Sequence, residues 1–92
     1  MIKLEGTDFQ IAVWKELLKI PAGSTKTYKE IAGAIGKPNS SRAVANACAQ
    51  NPYAPEVPCH RVIRSDGSLG GYSADGGMER KRELLDMESK LL

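Results

Sequence analysis

Residues 27–50 have the sequence TYKEIAGAIGKPNSSRAVANACAQ, which predicts two short helices joined by a tight turn. Thr27 and Glu30, three positions apart, form a capping-box pattern that starts the first of these helices. Gly36 is typical of the position just after a helix end. The second helix covers about 40–50 and is built from small residues, so it can lie close to whatever it packs against. Two short helices joined by a glycine-containing turn predict a helix-turn-helix.

Further helices are predicted on both sides of this motif. A first helix covers about 8–19, with Thr7 as its N-cap and Gln10 completing a second capping box. A closing helix covers about 78–91. The apolar residues at helical spacing are Phe9, Val13, Trp14, Leu17, Leu18 and Ile20 in the first helix, and Leu84, Leu85 and Met87 in the last.

The segment between the helix-turn-helix and the closing helix predicts extended structure. Residues 57–63, VPCHRVI, alternate in character as a short buried strand does. Asp66 and Gly67 predict a tight hairpin that returns the chain toward Leu69. The fold class predicted for residues 1–92 is therefore α/β and mainly helical, as a single small domain.

The composition sets broad limits on function. The chain has 92 residues, 41% of them hydrophobic and 26% charged, which is typical of a folded domain. A net charge of +2 is compatible with nucleic-acid binding but does not argue for it. No secretory signal or long apolar run is present, which favours a cytoplasmic protein with no membrane contact. We therefore expect Cys48 and Cys59 to be reduced thiols, and no metal site, because the only other soft ligand is His60.

The pair Cys59 and His60 carries the densest chemical signal. A thiolate is a nucleophile, and a histidine can take its proton if a carboxylate orients the imidazole. Neighbouring residues of a strand point to opposite faces, so this chemistry needs a bridging water or a kink at Pro58. Taken alone, the pair is more typical of a buried small residue and a satisfied core histidine.

The surrounding motifs reverse that preference. In order along the chain they are 9–14 (FQIAVW), 21–28 (PAGSTKTY), 41–44 (SRAV), 51–52 (NP), 58–63 (PCHRVI), 70–73 (GGYS) and 81–88 (KRELLDME). In this order they resemble the C-terminal catalytic domain of the O6-alkylguanine-DNA alkyltransferases, over nearly the whole chain. The resemblance implies a monomeric DNA repair enzyme without cofactor or metal. Its expected partner is double-stranded DNA containing alkylated guanine, in the cytoplasm or at the nucleoid of a prokaryote.

The resemblance also implies a role for each matching residue. Cys59 is the expected acceptor of the alkyl group in a single turnover, His60 takes the thiol proton through a water, and Glu88 orients His60. Tyr28 helps to rotate the target nucleotide out of the duplex and donates a hydrogen bond to the base. Arg42 enters the stack and fills the vacated space.

Other matching residues concern the hinge and the base pocket. Asn51 is the expected hinge that ties the helix-turn-helix to the active-site segment. The carbonyls of Cys59 and Val62 are expected to accept from the guanine amino group, with Ser73 at the base oxygen. Lys81 matches a lysine of the family's last helix. The recognition helix is expected in the minor groove.

Two alternative functions remain open, and the sequence departs from the family pattern in two places. An alkyltransferase-like protein binds lesions without transfer, but usually has tryptophan in place of the cysteine. A helix-turn-helix regulator would leave residues 58–62 unexplained. Larger family members carry an extra N-terminal domain, so this domain is expected to be stable alone. The loop at 73–77 is about two residues longer than the common form, which implies a different pocket shape.

Overall fold

The structure is a computed structural model that describes residues 3–54, 56–70 and 77–90. Within these ranges the main elements are four α-helices, two short strands and one 3₁₀ turn. No helix in this part of the chain is long and apolar enough to cross a bilayer. The elements are α1 (Asp8–Leu17), β1 (Lys26–Thr27), α2 (Tyr28–Ala34), α3 (Ser41–Ala49), the 3₁₀ turn (Cys59–Arg61), β2 (Val62–Ile63) and α4 (Gly77–Ser89).

Both predicted capping boxes are present, at the starts of α1 and α2. At α1 the Gln10 amide N–H donates to the Thr7 hydroxyl over 3.1 Å, and the Gln10 side chain accepts from the Thr7 amide over 2.9 Å. Thr27 and Glu30 make the same pair of bonds at α2, each 3.0 Å long. Two orphan amides at each helix start are thereby satisfied, which fixes where both helices begin.

The predicted glycine end of α2 is confirmed. Gly36 has a φ of 78°, in the left-handed region that favours glycine. Its amide donates to the Gly33 carbonyl over 3.1 Å, and the Lys37 amide donates to the Ala32 carbonyl over 2.9 Å. This pair of bonds is the Schellman motif, which ends the helix and turns the chain toward α3.

The helices α1, α2 and α3 pack around one apolar core. Val13, Leu17 and Val44 have no exposed surface, and Ile31 is also buried. Trp14 is a core residue, as predicted, and its indole N–H donates to the Ala47 carbonyl over 3.0 Å. That bond satisfies the polar atom of the largest core side chain and ties α1 to α3.

Two of the apolar residues at helical spacing lie outside the core. Leu18 is 49% exposed and Met87 is 58% exposed. Helix α1 ends at Leu17 rather than at residue 19, and Leu18 lies about 100° further around the helix axis than Leu17. In α4 the buried positions are Lys81 and Leu84, and Met87 lies outside that stripe.

The prediction of a continuous strand over 57–63 is also wrong, because Pro58 bends the chain. Its φ of −83° and ψ of 67° are those of an inverse γ-turn, closed by a 2.8 Å bond from the Cys59 amide to the Val57 carbonyl. The Arg61 amide then donates to the Pro58 carbonyl over 3.0 Å. The chain therefore forms a 3₁₀ turn over Cys59–Arg61, and only Val62–Ile63 is extended.

The strand that remains pairs with a partner that the sequence did not predict. β2 runs parallel to β1, with Lys26 opposite Val62 and Thr27 opposite Ile63. The predicted tight turn after β2 forms, since Gly67 donates to the Arg64 carbonyl over 3.0 Å. No second hairpin strand is present at residues 68–70, so the hairpin prediction holds only for its turn.

Adjacent leucines of α1 give a direct test of this core. Leu17→Ala removes a side chain with no exposed surface, so we expect the free energy of unfolding to fall by about 2–5 kcal/mol. Leu18→Ala is the matched control, and it should change that quantity by less than about 0.5 kcal/mol. Urea denaturation followed by circular dichroism measures both. Equal losses for the two variants would contradict the assignment of the buried face.

Candidate active site

The 3₁₀ turn over Cys59–Arg61 presents two functional side chains from consecutive residues. Cys59 is 4% exposed and His60 is 1% exposed, so both are removed from bulk solvent. The expectation that they point to opposite faces of a strand is wrong, because side chains on a 3₁₀ turn are separated by roughly 120°. The turn that follows Pro58 thus supplies the kink that the cysteine–histidine chemistry requires.

Asn51 connects the end of the helix-turn-helix to this turn. Its side-chain amide donates to the Val57 carbonyl over 2.8 Å, and its side-chain oxygen accepts from the Tyr53 amide over 2.9 Å. Burial raises the pKa of the Cys59 thiol, and a hydrogen bond from Asn51 to that side chain opposes the rise. The side chain is buried, so these bonds hold the chain between α3 and Cys59 in one conformation.

Glu88 on α4 is the carboxylate that meets His60. Glu88 Oε2 lies 2.8 Å from His60 Nε2. Arg61 donates to both oxygens of the same carboxylate, over 2.8 Å from Nε and 2.7 Å from Nη2. A third Arg61 bond reaches the Ile20 carbonyl over 2.8 Å. Arg61 therefore fixes Glu88 against His60 and ties α4 to the turn that follows α1.

This network determines which imidazole nitrogen carries the proton. The Arg61 hydrogen bonds lower the pKa of Glu88 to about 2, so its carboxylate is ionised at neutral pH. An ionised carboxylate only accepts, so His60 Nε2 must donate. Burial lowers the pKa of His60, against the opposing effect of Glu88, and keeps the imidazole neutral at pH 7. His60 Nδ1 then carries the lone pair, and it is buried without a hydrogen bond to any described residue.

The two cysteines have different surroundings. Burial raises the pKa of Cys59, while the Asn51 hydrogen bond and the Lys81 charge oppose that rise. Burial raises the pKa of Cys48 to about 12, and it packs in the core as predicted. At neutral pH both side chains are therefore thiols, and Cys59 is the one that directly precedes His60 in the chain.

Lys81 is a fully buried cation beneath the active-site turn. Its ammonium donates to the Val62 carbonyl over 2.7 Å and also to the Leu69 carbonyl. Burial lowers the pKa of Lys81. The Val62 carbonyl, expected to bind the guanine amino group, thus already accepts one bond, and the Cys59 carbonyl accepts from the Val62 amide. Each carbonyl oxygen has two lone pairs, so one remains on each.

Tyr28 is placed beside the turn by the parallel strands. It follows β1 directly as the first residue of α2, and β1 pairs with β2. Gly70, with a φ of 70°, closes the other side, since a Cβ there would lie 3.0 Å from the Tyr28 hydroxyl oxygen. Burial raises the pKa of Tyr28 to about 12, so its hydroxyl is neutral and able to donate. Lys81 lies 5.8 Å from the centre of its ring.

The remaining predicted residues lie at the edge of the site or outside the described ranges. Arg42 is exposed on the first turn of α3 and lines a cleft with Tyr28. Ser73 and most of the longer loop belong to residues 71–76, which the structure does not describe. Sequence reasoning missed two contributors, Arg61 and Gly70. Arg61 belongs to the proline–cysteine–histidine–arginine motif, so the sequence did indicate a role for it. Gly70 is marked in the sequence only by its place in a glycine-rich loop.

Together these elements define a class: a small helix-turn-helix domain followed by consecutive buried cysteine and histidine residues, with the histidine hydrogen-bonded to a glutamate of the last helix. A family model described as the DNA binding domain of 6-O-methylguanine DNA methyltransferase matches residues 8–90. The chain belongs to that family.

Relatives and solved structures agree with this assignment. A methylated-DNA–protein-cysteine methyltransferase of Methanosarcina barkeri is 56% identical over 96% of this chain and 54% of its own length. The Mycobacterium tuberculosis OGT structure in complex with DNA is 55% identical, with a TM-score of 0.91, over 96% of this chain and 53% of its own. S. pombe Atl1 in complex with damaged DNA containing O6-carboxymethylguanine is 32% identical, with a TM-score of 0.80, over 92% and 79%. The chain spans about half the length of the curated relatives it matches.

The shared carboxylate predicts a specific dependence of stability on pH. The folded pKa of Glu88, about 2, lies below its ordinary value of 4.5. Its contribution to stability is therefore complete above pH 4.5 and is lost as the pH falls toward 2. We expect Glu88→Gln to be less stable than the parent at pH 7 and to lose less stability on acidification.

The measurement is urea denaturation at a series of pH values from 7 to below 4.5. Glu56→Gln is the matched control, because Glu56 is exposed and makes no ion pair with any described residue. Its stability should follow the parent at every pH. Parallel pH profiles for the parent and Glu88→Gln would contradict the network.

Proposed function

We propose that this domain carries out DNA repair by transferring an alkyl group from the O6 position of guanine to its own Cys59, once per molecule. The observation that supports this most strongly is the 2.8 Å contact between His60 Nε2 and the Glu88 carboxylate next to a buried thiol. That contact leaves the other imidazole nitrogen free to act as a base. The reaction class is methylated-DNA–protein-cysteine S-methyltransferase, the activity in the names of its relatives.

The proton moves first. The thiol of Cys59 is protonated at rest because burial raises its pKa, so it needs a base. His60 Nδ1 is that base, acting through a water molecule between the two side chains. The imidazolium that forms is stabilised by Glu88, which in turn is held by Arg61. Glu88 and Arg61 are positioning residues, since they act only through His60.

The alkyl group moves second. The Cys59 thiolate attacks the alkyl carbon, the sulfur–carbon bond forms, and the bond from that carbon to the guanine O6 breaks. Its electron pair passes to the guanine ring, and a proton equivalent to the one taken from the thiol restores neutral guanine. Tyr28, neutral because its pKa is about 12, donates a hydrogen bond to the base as charge develops there. The thioether product has no route back to a thiol, so each molecule reacts once.

DNA contact is assigned to the helix-turn-helix. The alkylated oxygen is inaccessible within stacked DNA, so the nucleotide must rotate out of the duplex. The outer face of α3 carries small or short side chains, which allows close approach to a minor groove, and Arg42 at its start is placed to enter the stack. We propose that the protein acts in the cytoplasm, at the nucleoid in a prokaryote. We propose that it acts there as a monomer.

A second candidate is lesion binding without transfer. The similarity to S. pombe Atl1, described above, covers most of both chains and supports this alternative. The presence of Cys59 directly before His60, which is hydrogen-bonded to Glu88, favours transfer. Intact mass after incubation with O6-methylguanine duplex separates the two candidates.

The nucleophile assignment predicts the following result. The parent should gain the mass of one CH₂ unit on Cys59 and then stop, whereas Cys59→Ser should gain none. A serine hydroxyl with the same neighbours is far from ionised at neutral pH. DNA affinity should stay close to that of the parent, because it depends mainly on phosphate contacts by the helices. The assays are mass spectrometry and gel shift on the same preparations.

Cys48→Ser is the matched control, since Cys48 is a buried thiol in the core. It should still accept one methyl group. A methyl group on Cys48, repeated turnover by one protein molecule, or transfer to Cys59→Ser would each rule out the assignment.

The role of Arg42 predicts a difference between substrates. Arg42→Ala should slow transfer from duplex by roughly tenfold to a hundredfold, because the side chain offsets part of the few kcal/mol needed to unstack a base. Transfer from the free alkylated base should proceed at the parental rate. Single-turnover kinetics with both substrates is the measurement, and Arg82→Ala on α4 is the control. An equal loss with both substrates would assign Arg42 a structural role instead.

A further inference from the structure

An open cleft of about 360 Å³ lies beside the proposed active site, between the starts of α2 and α3 and the turn after β2. Its lining combines positive charge with hydroxyl groups, and none of the described lining residues is acidic. The one apolar residue of the described lining is Ala45. The lining residues are Tyr28, Ser41, Arg42, Ala45, Arg64 and Ser65.

Arg64 is the charged member of this set to which the proposed reaction gives no role. Its amide donates to the Ser68 carbonyl over 2.9 Å, and its carbonyl accepts from Gly67, so its backbone is fixed. A Cβ on Gly70 would lie 3.6 Å from Arg64 Cγ and 3.0 Å from the Tyr28 hydroxyl oxygen. The Arg64 side chain therefore passes close to Tyr28 at the mouth of the site.

The Arg64 guanidinium has no hydrogen bond or ion pair with any described residue. Asp66, two residues further on, is the carboxylate that its charge influences. The Asp66 carboxylate, however, accepts from the Ser68 amide over 2.9 Å and from the Ser68 hydroxyl over 2.7 Å. The hydrogen bonds of Asp66 thus stabilise its own turn, and the N–H donors of the Arg64 guanidinium stay available.

The start of α3 adds to the positive potential of the cleft. Its N-cap, Ser40, makes no side-chain hydrogen bond to the helix, and Ser41 and Arg42 of its first turn line the cleft. Uncapped amides and the helix dipole favour an anion at this position. Two guanidiniums lining one cleft repel each other, and a bound phosphate, which arginine contacts with two parallel bonds, removes that cost.

We propose that Arg64 binds a backbone phosphate of the damaged strand next to the rotated nucleotide, opposite Arg42 across this cleft. This inference rests on the proposed function and adds a binding residue to it. Arg64 follows β2 directly, and the Cys59 turn precedes β2. A nucleotide whose base reaches Cys59 must leave its phosphate at the mouth, where Arg64 is exposed. Arg64 thus anchors the strand while the base enters.

The test is a titration of lesion-containing duplex in the Cys59→Ser background, so that binding is measured without transfer. Loss of one phosphate contact should make the slope of log affinity against log salt shallower by about 0.9. Across a fourfold rise in salt, Arg64→Gln should therefore lose about 3.5-fold less affinity than its parent. Arg64→Lys should keep the parental slope, because it keeps the charge.

A second arm locates the phosphate. Methylphosphonate, which is uncharged, replaces the phosphate on either side of the lesion. At one of these positions it should weaken the parent but have no further effect on Arg64→Gln, because the same contact is already missing. Arg82→Gln is the matched control, since Arg82 is exposed and lines a separate cleft on α4. It should keep both the salt slope and the methylphosphonate effect.

Several results would overturn the proposal. The first is an unchanged salt slope for Arg64→Gln. The second is an affinity loss from Arg64→Gln that adds to the methylphosphonate loss at both positions flanking the lesion. The third is an equal change in salt slope for Arg82→Gln. With Cys59 intact, Arg64→Gln should accept the alkyl group from the free base at the parental rate, and a loss there would place Arg64 in the base pocket instead. Absence of transfer in the parent itself would refute the proposed function, while the binding arms would still decide the role of Arg64.

Discussion

The hydrogen bonds of the Glu88 carboxylate are the interaction on which the rest of the site depends. The carboxylate is shared between His60 and Arg61, and Arg61 also donates to the Ile20 carbonyl in the turn after α1. One group thereby fixes the imidazole tautomer, holds the 3₁₀ turn against α4 and ties α4 to the core. Because the carboxylate is ionised and bound on both sides, the imidazole proton stays on Nε2, and the second nitrogen keeps its lone pair.

The backbone around Cys59 makes this contact possible. Pro58 has no amide to give to a ladder, and its γ-turn starts the 3₁₀ turn that carries Cys59 and His60. Asn51 bonds the Val57 carbonyl before the turn, and Lys81 bonds the Val62 carbonyl after it. Buried donors thus flank the turn on both sides, so its geometry is set by hydrogen bonds rather than by apolar packing alone.

Local sequence patterns predicted the helices well, but they did not predict contacts between residues far apart in the chain. The capping boxes at Thr7 and Thr27 and the glycine after α2 are decided within a few residues, so they could be identified from sequence. The pairing of β1 with β2 joins two-residue strands more than 30 positions apart and leaves no periodic pattern. The strand over 57–63 was misjudged because apolar alternation outweighed the effect of Pro58. Glu88 was identified only through resemblance, since an acidic residue on a charged helix is usually solvated.

The protonation state of the site suits the single-turnover reaction proposed above. Burial raises the pKa of Cys59 and lowers the pKa of His60, so transfer of the proton between them is unfavourable at rest. Little thiolate exists until an alkyl carbon is in place to draw the reaction forward. Adventitious electrophiles and oxidants, which react with thiolates, therefore meet a protected thiol. A more acidic Cys59 would hold more thiolate at rest, so it would be lost more often to other chemistry. In the proposed single-turnover reaction each such loss is permanent.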